Sequence, residues 1–365
     1  MSTRLDTLAD QLRSPIMQAP MAGGPSTPAL AAAVHRAGGF GQLAGGNLTP
    51  AALAGHLDDV DDLLEGERTE SGLLPVGVNL FVPDPDTADP DALESYRLAL
   101  RPAAEALGVE VPQVPAWSDD DYPAKLDLLL SRPPAAVSFT FGLPEAPAVR
   151  ALQEAGVTVV LSVADVPGAR RAAALGPDAL VVQGQQAGGH RAVLSMHDEP
   201  EPVDTLELLG AVRAALGDHR GSGGHDGVGT EPPLIAAGGV GTVQDVTDLL
   251  AAGARAVQVG TQFLTAREAG TRAAHRQAVL DPERSETVVT RAFSGRPARG
   301  LRNLFIDELD DQAVVGYPQV NRMTAPLRAA ANAAGDPEHL SLWAGTRASE
   351  CREESAAEIL ARLTP

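Results

Sequence analysis

Short apolar runs alternate with amphipathic segments along most of the chain. Eight runs of four or five mostly apolar residues lie at 16–19, 40–43, 76–80, 136–139, 157–161, 179–182, 234–237 and 256–259. Runs that are continuous instead of alternating are typical of parallel strands whose two faces are both covered. Between them, apolar residues recur at helical spacing in 27–37, 50–64, 91–107, 147–155, 167–175, 205–216 and 243–251. The pattern therefore predicts eight parallel strands connected by helices.

Eight strand–helix repeats are typical of a (β/α)8 barrel, a fold of about 250 residues. The chain has 365 residues, and its excess lies in a segment rich in Pro and Asp at 84–133 and in the region after residue 265. We therefore predict an α/β protein with a TIM barrel formed by 1–83 and 134–265. A second, smaller domain, which would act as a lid or bind substrate, is predicted at 84–133 and 266–365. An open, doubly wound sheet is the weaker alternative, and a polar loop at 217–231 is predicted to be mobile.

Composition excludes several kinds of chemistry. Asp and Glu outnumber Lys and Arg by 48 to 28, and a net charge of −20 is not that of a nucleic-acid binder. The single lysine, Lys125, lies in the 84–133 insertion, so a Schiff-base lysine at a strand end is excluded. The single cysteine, Cys351, lies near the C-terminus, which excludes an intrachain disulfide and a nucleophilic cysteine on a barrel loop. The spacing of Cys and His predicts no metal site.

The chain contains no apolar stretch with the character of a signal peptide or a membrane span. We therefore expect a cytoplasmic protein that acts on a small molecule as a monomer or homodimer. Neither nucleic acid nor a membrane is an expected partner.

Two loops that contain glycine follow the predicted seventh and eighth strands. The first includes Gly238 and Gly239, and the second includes Gly260. Loops at these two barrel positions commonly bind phosphate. Glycine lets backbone N–H groups approach an anion closely, and the helix after the first loop would direct its positive end at the same point. Tight turns also require glycine, but two such loops together favour a phosphate site.

A third glycine-rich loop, QGQQAGGHR at 183–191, follows the predicted sixth strand. A histidine on this loop, His190, would lie at the barrel mouth and could act as an acid, a base or a hydrogen-bond donor near neutral pH. Gln183 could direct its amide at a ligand. His197 is close enough in sequence to contribute. The remaining histidines are predicted to be solvated: His35, His56, His219, His225, His275 and His339.

Seven segments, in this order, resemble the nitronate monooxygenases, which are FMN-dependent enzymes. They are PIMQAPMAGG (15–24), VGVNLF (76–81), SFTFGLP (138–144), GQQAGGHR (184–191), IAAGGV (235–240), VQVGTQFL (257–264) and TRAFSGRPARG (290–300). The resemblance extends from about residue 13 to 345. It implies a barrel with FMN at its mouth and a smaller lid domain.

The resemblance also implies roles for individual residues. Flavin contacts are expected from Met21, Ala22, Asn79, Gln183 and Gly188. Phosphate contacts are expected from Gly239, Gln258, Val259, Gly260 and Thr261. The residue that matches the family's catalytic histidine is His190.

The implied reaction is oxidation of an alkyl nitronate by O2 to an aldehyde and nitrite, with propionate 3-nitronate as the usual substrate. His190 would bind the anionic nitro group, and it could remove the α-proton of a neutral nitroalkane. Positive charge for the anion is available in the arginine-rich segment 291–302. The predicted substrate residues are Arg296 and Arg299 from this segment, together with Tyr317.

Two alternatives stay open. FMN-dependent NAD(P)H:quinone reductases and enoyl-carrier-protein reductases have a similar AGGH loop, and nicotinamide could stack on the flavin without a second binding motif. A flavin-free phosphate-binding isomerase or lyase barrel is more remote. The arginine-rich segment and the residues YPQVN, APLRAA and SLWAG near the C-terminus resemble the monooxygenases more closely.

Overall fold

The computed structural model describes residues 4–5, 12–217 and 231–365. The strands are β1 (Ile16–Gln18), β2 (Gln42–Ala44), β3 (Leu74–Phe81), β4 (Pro134–Thr140), β5 (Thr158–Val163), β6 (Ala179–Gln183), β7 (Gly189–His190), β8 (Leu234–Ala237), β9 (Ala256–Val259), β10 (Thr287–Thr290) and β11 (Ala298–Leu301). The loop predicted at 217–231 lies outside the described residues except for its two ends, as do His219 and His225.

Helices connect most of these strands. They are α1 (Pro28–Arg36), α2 (Pro50–Leu63), α3 (Pro90–Ala99), α4 (Arg101–Ala106), α5 (Tyr122–Ser131), α6 (Ala146–Glu154), α7 (Val166–Ala173), α8 (Thr205–Gly217), α9 (Val243–Ala251), α10 (Ala273–Leu280), α11 (Leu304–Leu309), α12 (Gln319–Met323), α13 (Ala325–Ala334) and α14 (Ala356–Leu363). The single helix predicted at 91–107 is wrong, because α3 ends at Ala99 and α4 restarts with Pro102 in its first turn. Proline lacks the N–H that would continue the helix.

Eight strands form one parallel sheet in the order β1-β9-β8-β6-β5-β4-β3-β2. The two ends of this order meet, because the Gln18 N–H donates to the Phe40 carbonyl at 2.9 Å and Met17 forms a parallel bridge with Phe40. The sheet therefore closes into the predicted (β/α)8 barrel, and the open doubly wound sheet is wrong.

The barrel core is built from aliphatic residues. Val78, Val137 and Leu161 on β3, β4 and β5 are fully buried, and they pack in the same apolar cluster as the inner faces of the surrounding helices. This arrangement covers both faces of each strand, which explains the continuous apolar runs in the sequence. The C-terminal helix α14 joins the same cluster through Ile359 and Leu360.

A second apolar cluster lies beside the barrel. It joins Leu93 and Tyr96 of the insertion to Phe293, Phe305 and Val320 of the C-terminal region. The Phe293 and Phe305 rings stack with centroids 4.3 Å apart, and the Tyr96 hydroxyl donates to the Ala292 carbonyl at 2.6 Å. The insertion and the C-terminal region thus share a core at the edge of the barrel. The exact limits of a second domain stay a prediction.

None of the helices in the described part of the chain is long and apolar enough to span a membrane.

Candidate active site

A cavity of about 280 Å³ opens at the carboxyl ends of the barrel strands. It is lined by His190 and by all of the residues predicted to contact a cofactor: Met21, Ala22, Asn79, Gln183, Gly188, Gly238, Gly239, Gln258, Val259, Gly260 and Thr261. Three arginines also line it, whereas no described lining residue is Asp or Glu. In a chain of net charge −20, this composition indicates a cavity for an anionic ligand.

The glycine loops form one end of the cavity. Gly238 and Gly239 have φ values of +106° and +74°, a region that only glycine adopts without strain. In the described part of the chain, the backbone N–H groups of Gly239, Gly260 and Thr261 have no protein acceptor. These groups can therefore donate to an anion.

The N-terminus of α9 offers fewer free N–H groups to an anion than its position after the first glycine loop predicts. The Asp245 carboxylate caps this helix by accepting from the N–H groups of Gly241 and Thr242 at 3.0 and 2.9 Å. These donors are consequently occupied within the protein. A cation stands nearby instead, because Arg347 lines the cavity while one of its nitrogens donates to Asp245 at 2.8 Å.

Side-chain amides line the inner wall. The parallel register places Gln183, Ala237 and Gln258 side by side at the ends of β6, β8 and β9. Gln258 accepts at Oε1 from the Nε2 group of the buried Gln42 at 3.1 Å. This contact orients the Gln258 amide, and its own Nε2 group is left to donate into the cavity.

Asn79 on β3 is oriented in the same way. Its Oδ1 accepts from the Ser138 hydroxyl at 2.9 Å and from the Thr140 hydroxyl at 3.0 Å. With Oδ1 accepting from both hydroxyls, Nδ2 is the donor that remains. The inner wall thus presents amide donors from both Asn79 and Gln258.

Gln183 differs from these two amides because both ends of its side chain hold the histidine loop. Its Nε2 donates to the His190 carbonyl at 3.0 Å, and its Oε1 accepts from the Ala192 N–H at 2.9 Å. The loop is also fixed by pairing of β7 with β11, in which His190 lies opposite Ala298. Gln183 therefore positions His190 as well as lining the cavity.

His190 is half-buried among aromatic rings. Its ring centroid lies 5.2 Å from that of Phe141, 5.4 Å from Trp343 and 6.2 Å from Tyr317. Burial, with smaller contributions from the charges of Arg296 and Arg328, lowers the pKa of His190 to about 3. The imidazole is therefore neutral near pH 7.

The hydrogen bonds around Ser294 assign the tautomer of His190. The His190 Nε2 atom lies 2.9 Å from the Ser294 Oγ, and the Ser294 hydroxyl donates to the Arg296 carbonyl at 3.2 Å. Because the serine proton is used there, its oxygen accepts from the Nε2–H of His190. The Nδ1 atom has no described protein partner and is left with a lone pair.

The predicted substrate residues lie around the cavity and not in its lining. Arg296 is 1% exposed, forms an ion pair with Asp84, and has its Cζ 4.2 Å above the Phe141 ring. Tyr317 packs against His190 and Phe141. The structure therefore places Arg296 and Tyr317 outside the cavity lining, in contact with the Phe141 ring.

Arg299 points to the opposite side of its strand. Its guanidinium donates to the carbonyls of Gln185 and Thr287 at 2.8 and 3.1 Å, and it lines a separate pocket. Side chains alternate between the two faces of a strand, so Arg299 on β11 turns away from the side of its neighbours. Arg299 therefore does not line the main cavity. The arginines that do are Arg272, Arg328 and Arg347.

The cavity is also lined by three residues that were not among the predicted site residues: Arg272, Arg328 and His275. The prediction that His275 is solvated is wrong. It is 9% exposed, its Nε2 lies 3.1 Å from the Trp343 carbonyl, and burial lowers its pKa to about 4. A signal was available, because His275 shares the apolar side of α10 with Ala278 and Val279.

The single lysine acts outside the cavity. Lys125 is 1% exposed and donates to Asp120 at 2.7 Å. Both carboxylate oxygens of Asp120 accept from the Asn47 N–H at 3.2 Å. Asn47 lines the cavity and has a φ of +62°. The insertion thus holds one residue of the barrel mouth in place through an ion pair between the buried Lys125 and the half-buried Asp120.

The sequence matches the nitronate monooxygenase family over residues 6–365. A nitronate monooxygenase from Pseudomonas aeruginosa is 37% identical, and the match covers 96% of this chain and 95% of that protein. A probable nitronate monooxygenase from Staphylococcus aureus is 31% identical over 91% of this chain and 88% of that protein.

Solved structures agree with this match. A nitroalkane oxidase from Streptomyces ansochromogenes has a TM-score of 0.88 and 37% identity, covering 98% of this chain and 96% of that chain. FabK from Thermotoga maritima has a TM-score of 0.72 and 25% identity, covering 100% of this chain and 95% of that chain. The similarities extend over nearly the whole length and identify the protein as an oxidoreductase. The chain belongs to the nitronate monooxygenase family.

Proposed function

We propose that the protein uses FMN to oxidise alkyl nitronates with O2, giving an aldehyde and nitrite, and that propionate 3-nitronate is a substrate. The observation that carries this proposal is the cavity itself. It combines a glycine-loop anion site, a wall of oriented amides and a neutral, half-buried histidine, without a described carboxylate in its lining.

The residues present fit FMN. A Cβ added at Gly239 would lie 3.1 Å from the Gln186 Cβ, and one at Gly260 would lie 3.3 Å from the Ala19 Cβ. Larger residues would therefore narrow the space between the two glycine loops, which we call the phosphate cradle. The free N–H groups of Gly239, Gly260 and Thr261 would hold the phosphate. FMN would supply electron acceptance from the substrate and reaction with O2.

The amide wall would hold the flavin ring. Asn79 and Gln258 each have an oriented amide nitrogen that could donate to the carbonyl and nitrogen acceptors of the ring. Met21 and Ala22 line the same cavity from the loop after β1. These residues would hold the cofactor in the same cavity as His190.

His190 would act through its Nδ1 lone pair. A neutral nitroalkane must lose an α-proton, and an unprotonated imidazole with a lowered pKa is available to accept it. A nitronate has already lost this proton, so for the anion His190 contributes contact and orientation. The rings of Phe141, Tyr317 and Trp343 pack around the histidine and would limit its contact with water when substrate is bound.

Anaerobic mixing tests the proposal. The yellow, FMN-loaded protein should lose its visible flavin absorbance within seconds of mixing with propionate 3-nitronate, and NADH should bleach it far more slowly. Rapid bleaching by NADH without a response to nitronate would instead favour the NAD(P)H-dependent reductases. A folded, colourless protein that FMN does not reconstitute would favour the flavin-free barrel.

A further inference from the structure

Two arginines of the cavity have no carboxylate partner. Arg272 and Arg328 line it on the side of the C-terminal region, and neither forms an ion pair with any described residue. The third arginine, Arg347, is already paired with Asp245 beside the glycine loops. Arg272 and Arg328 therefore form a separate cationic group, which we call the arginine pair.

Arg328 is held in place by neutral acceptors. One of its terminal nitrogens donates to the Asn321 carbonyl at 2.6 Å and to the Asn321 Oδ1 at 2.9 Å. Its Nε atom is buried without a protein partner. Burial, together with the nearby positive charge of Arg272, lowers the pKa of Arg328 to about 10, so the guanidinium is still charged at pH 7.

Arg272 adds a second charge at the start of α10. It is exposed at the cavity mouth and donates to no described protein acceptor. Two like charges in one partly buried region repel each other, and desolvation adds a further cost. An anion bound between them would remove both penalties, and the Arg328 fork is suited to bidentate contact with a carboxylate.

The arginine pair is close to the histidine but distinct from the phosphate cradle. Arg328 lies near enough to His190 for its charge to lower the pKa of the imidazole. The glycine loops and Arg347 form a different part of the same cavity. One ligand at His190 can therefore reach the arginine pair while the cradle holds another group.

We propose that Arg328 and Arg272 bind a carboxylate on the substrate, and that this contact selects nitronates with a second negative group over simple alkyl nitronates. The inference rests on the proposed nitronate chemistry. It assigns the selectivity to two residues outside the arginine-rich segment.

Steady-state kinetics on two substrates of equal carbon number test the selection. Propionate 3-nitronate carries a carboxylate, whereas propyl-1-nitronate does not. In Arg328→Met, kcat/KM for propionate 3-nitronate should fall by about 10- to 100-fold, the effect of losing charge-assisted hydrogen bonds. For propyl-1-nitronate it should change by less than about threefold on the same reasoning, since that substrate lacks the group. An equal loss on both substrates would overturn the proposal.

Two further variants keep the test independent of folding. Arg272→Met removes an exposed side chain, so the fold should be retained while selectivity decreases in the same direction. Arg328→Lys should recover part of the preference. The matched control is Arg150→Met, which removes an exposed arginine from α6 and should leave both rates unchanged. Selectivity equal to that of the wild type in both Arg272→Met and Arg328→Met would contradict the assignment.

A binding measurement separates this inference from the proposed reaction. Succinate has two carboxylates and butyrate has one, and neither can be oxidised as a nitronate. Calorimetry on the FMN-loaded protein should show tighter binding of succinate, and Arg328→Met should abolish the difference. If neither nitronate reduces the flavin but succinate binding still depends on Arg328, the reaction is wrong and the anion site is correct. Equal binding of succinate by wild type and variant would refute the anion site.

Discussion

The phosphate cradle can be tested by adding one methyl group at Gly239. Its φ of +74° lies in the left-handed region, where an L-residue costs about 1–2 kcal/mol. The new Cβ would also lie 3.1 Å from the Gln186 Cβ. Gln186 cannot move freely, because its Oε1 accepts from the Thr205 N–H and hydroxyl at 2.9 and 3.0 Å. In Gly239→Ala the loop should therefore rotate, which turns its N–H away from the anion.

The expected loss follows from that N–H. A hydrogen bond to a charged group contributes about 1.5–3 kcal/mol, and each 1.4 kcal/mol is about a tenfold change in affinity. We expect the Kd for FMN to increase by about 10- to 100-fold on this basis. Titration of the apoprotein with FMN, followed by the flavin fluorescence, measures this Kd directly.

Gly176→Ala is the matched control. Gly176 has a φ of +68° between α7 and β6, and a Cβ added there meets nothing within 4 Å. Both variants should lose about 1–2 kcal/mol of unfolding free energy through backbone strain, but only Gly239→Ala should weaken FMN binding. An FMN Kd for Gly239→Ala within about twofold of both wild type and Gly176→Ala would refute the cradle, because the added strain would then have no effect on the anion.

Two other predictions concern the histidines. His190→Asn should retain FMN but reduce turnover of neutral nitroalkanes by about 10²- to 10⁴-fold, with a smaller loss on nitronates because these need no proton removed; unchanged kinetics on both would exclude His190 from the mechanism. The pKa values of His190 and His275 are lowered by burial to about 3 and about 4, so the unfolded chain binds more protons below pH 6.5 and stability should decrease as the pH falls through this range. Each buried histidine contributes a slope of up to about 1.4 kcal/mol per pH unit, and urea unfolding of His275→Gln between pH 6.5 and 4.5 should show the smaller slope; equal slopes would contradict its burial.

The sequence determined the barrel and the glycine-containing loops at its mouth. Apolar runs at 136–139 and 179–182 predict strands that the structure shows as β4 (Pro134–Thr140) and β6 (Ala179–Gln183). Such runs are local signals, because a strand buried on both faces must be apolar throughout. Gly238 and Gly239 are local signals as well, since their positive φ values follow from the absent side chain.

Only the tertiary structure decided which charges enter the cavity. Arg299 belongs to an arginine-rich segment, yet its pairing opposite Gly189, more than a hundred residues away in sequence, turns its side chain to another pocket. Arg296 is neutralised by Asp84 of the insertion. Arg328, whose segment APLRAA resembles the family without indicating where the side chain points, faces the cavity without a carboxylate partner. Side-chain direction and ion pairing depend on contacts between segments that are distant in sequence. These contacts cannot be inferred from local sequence patterns.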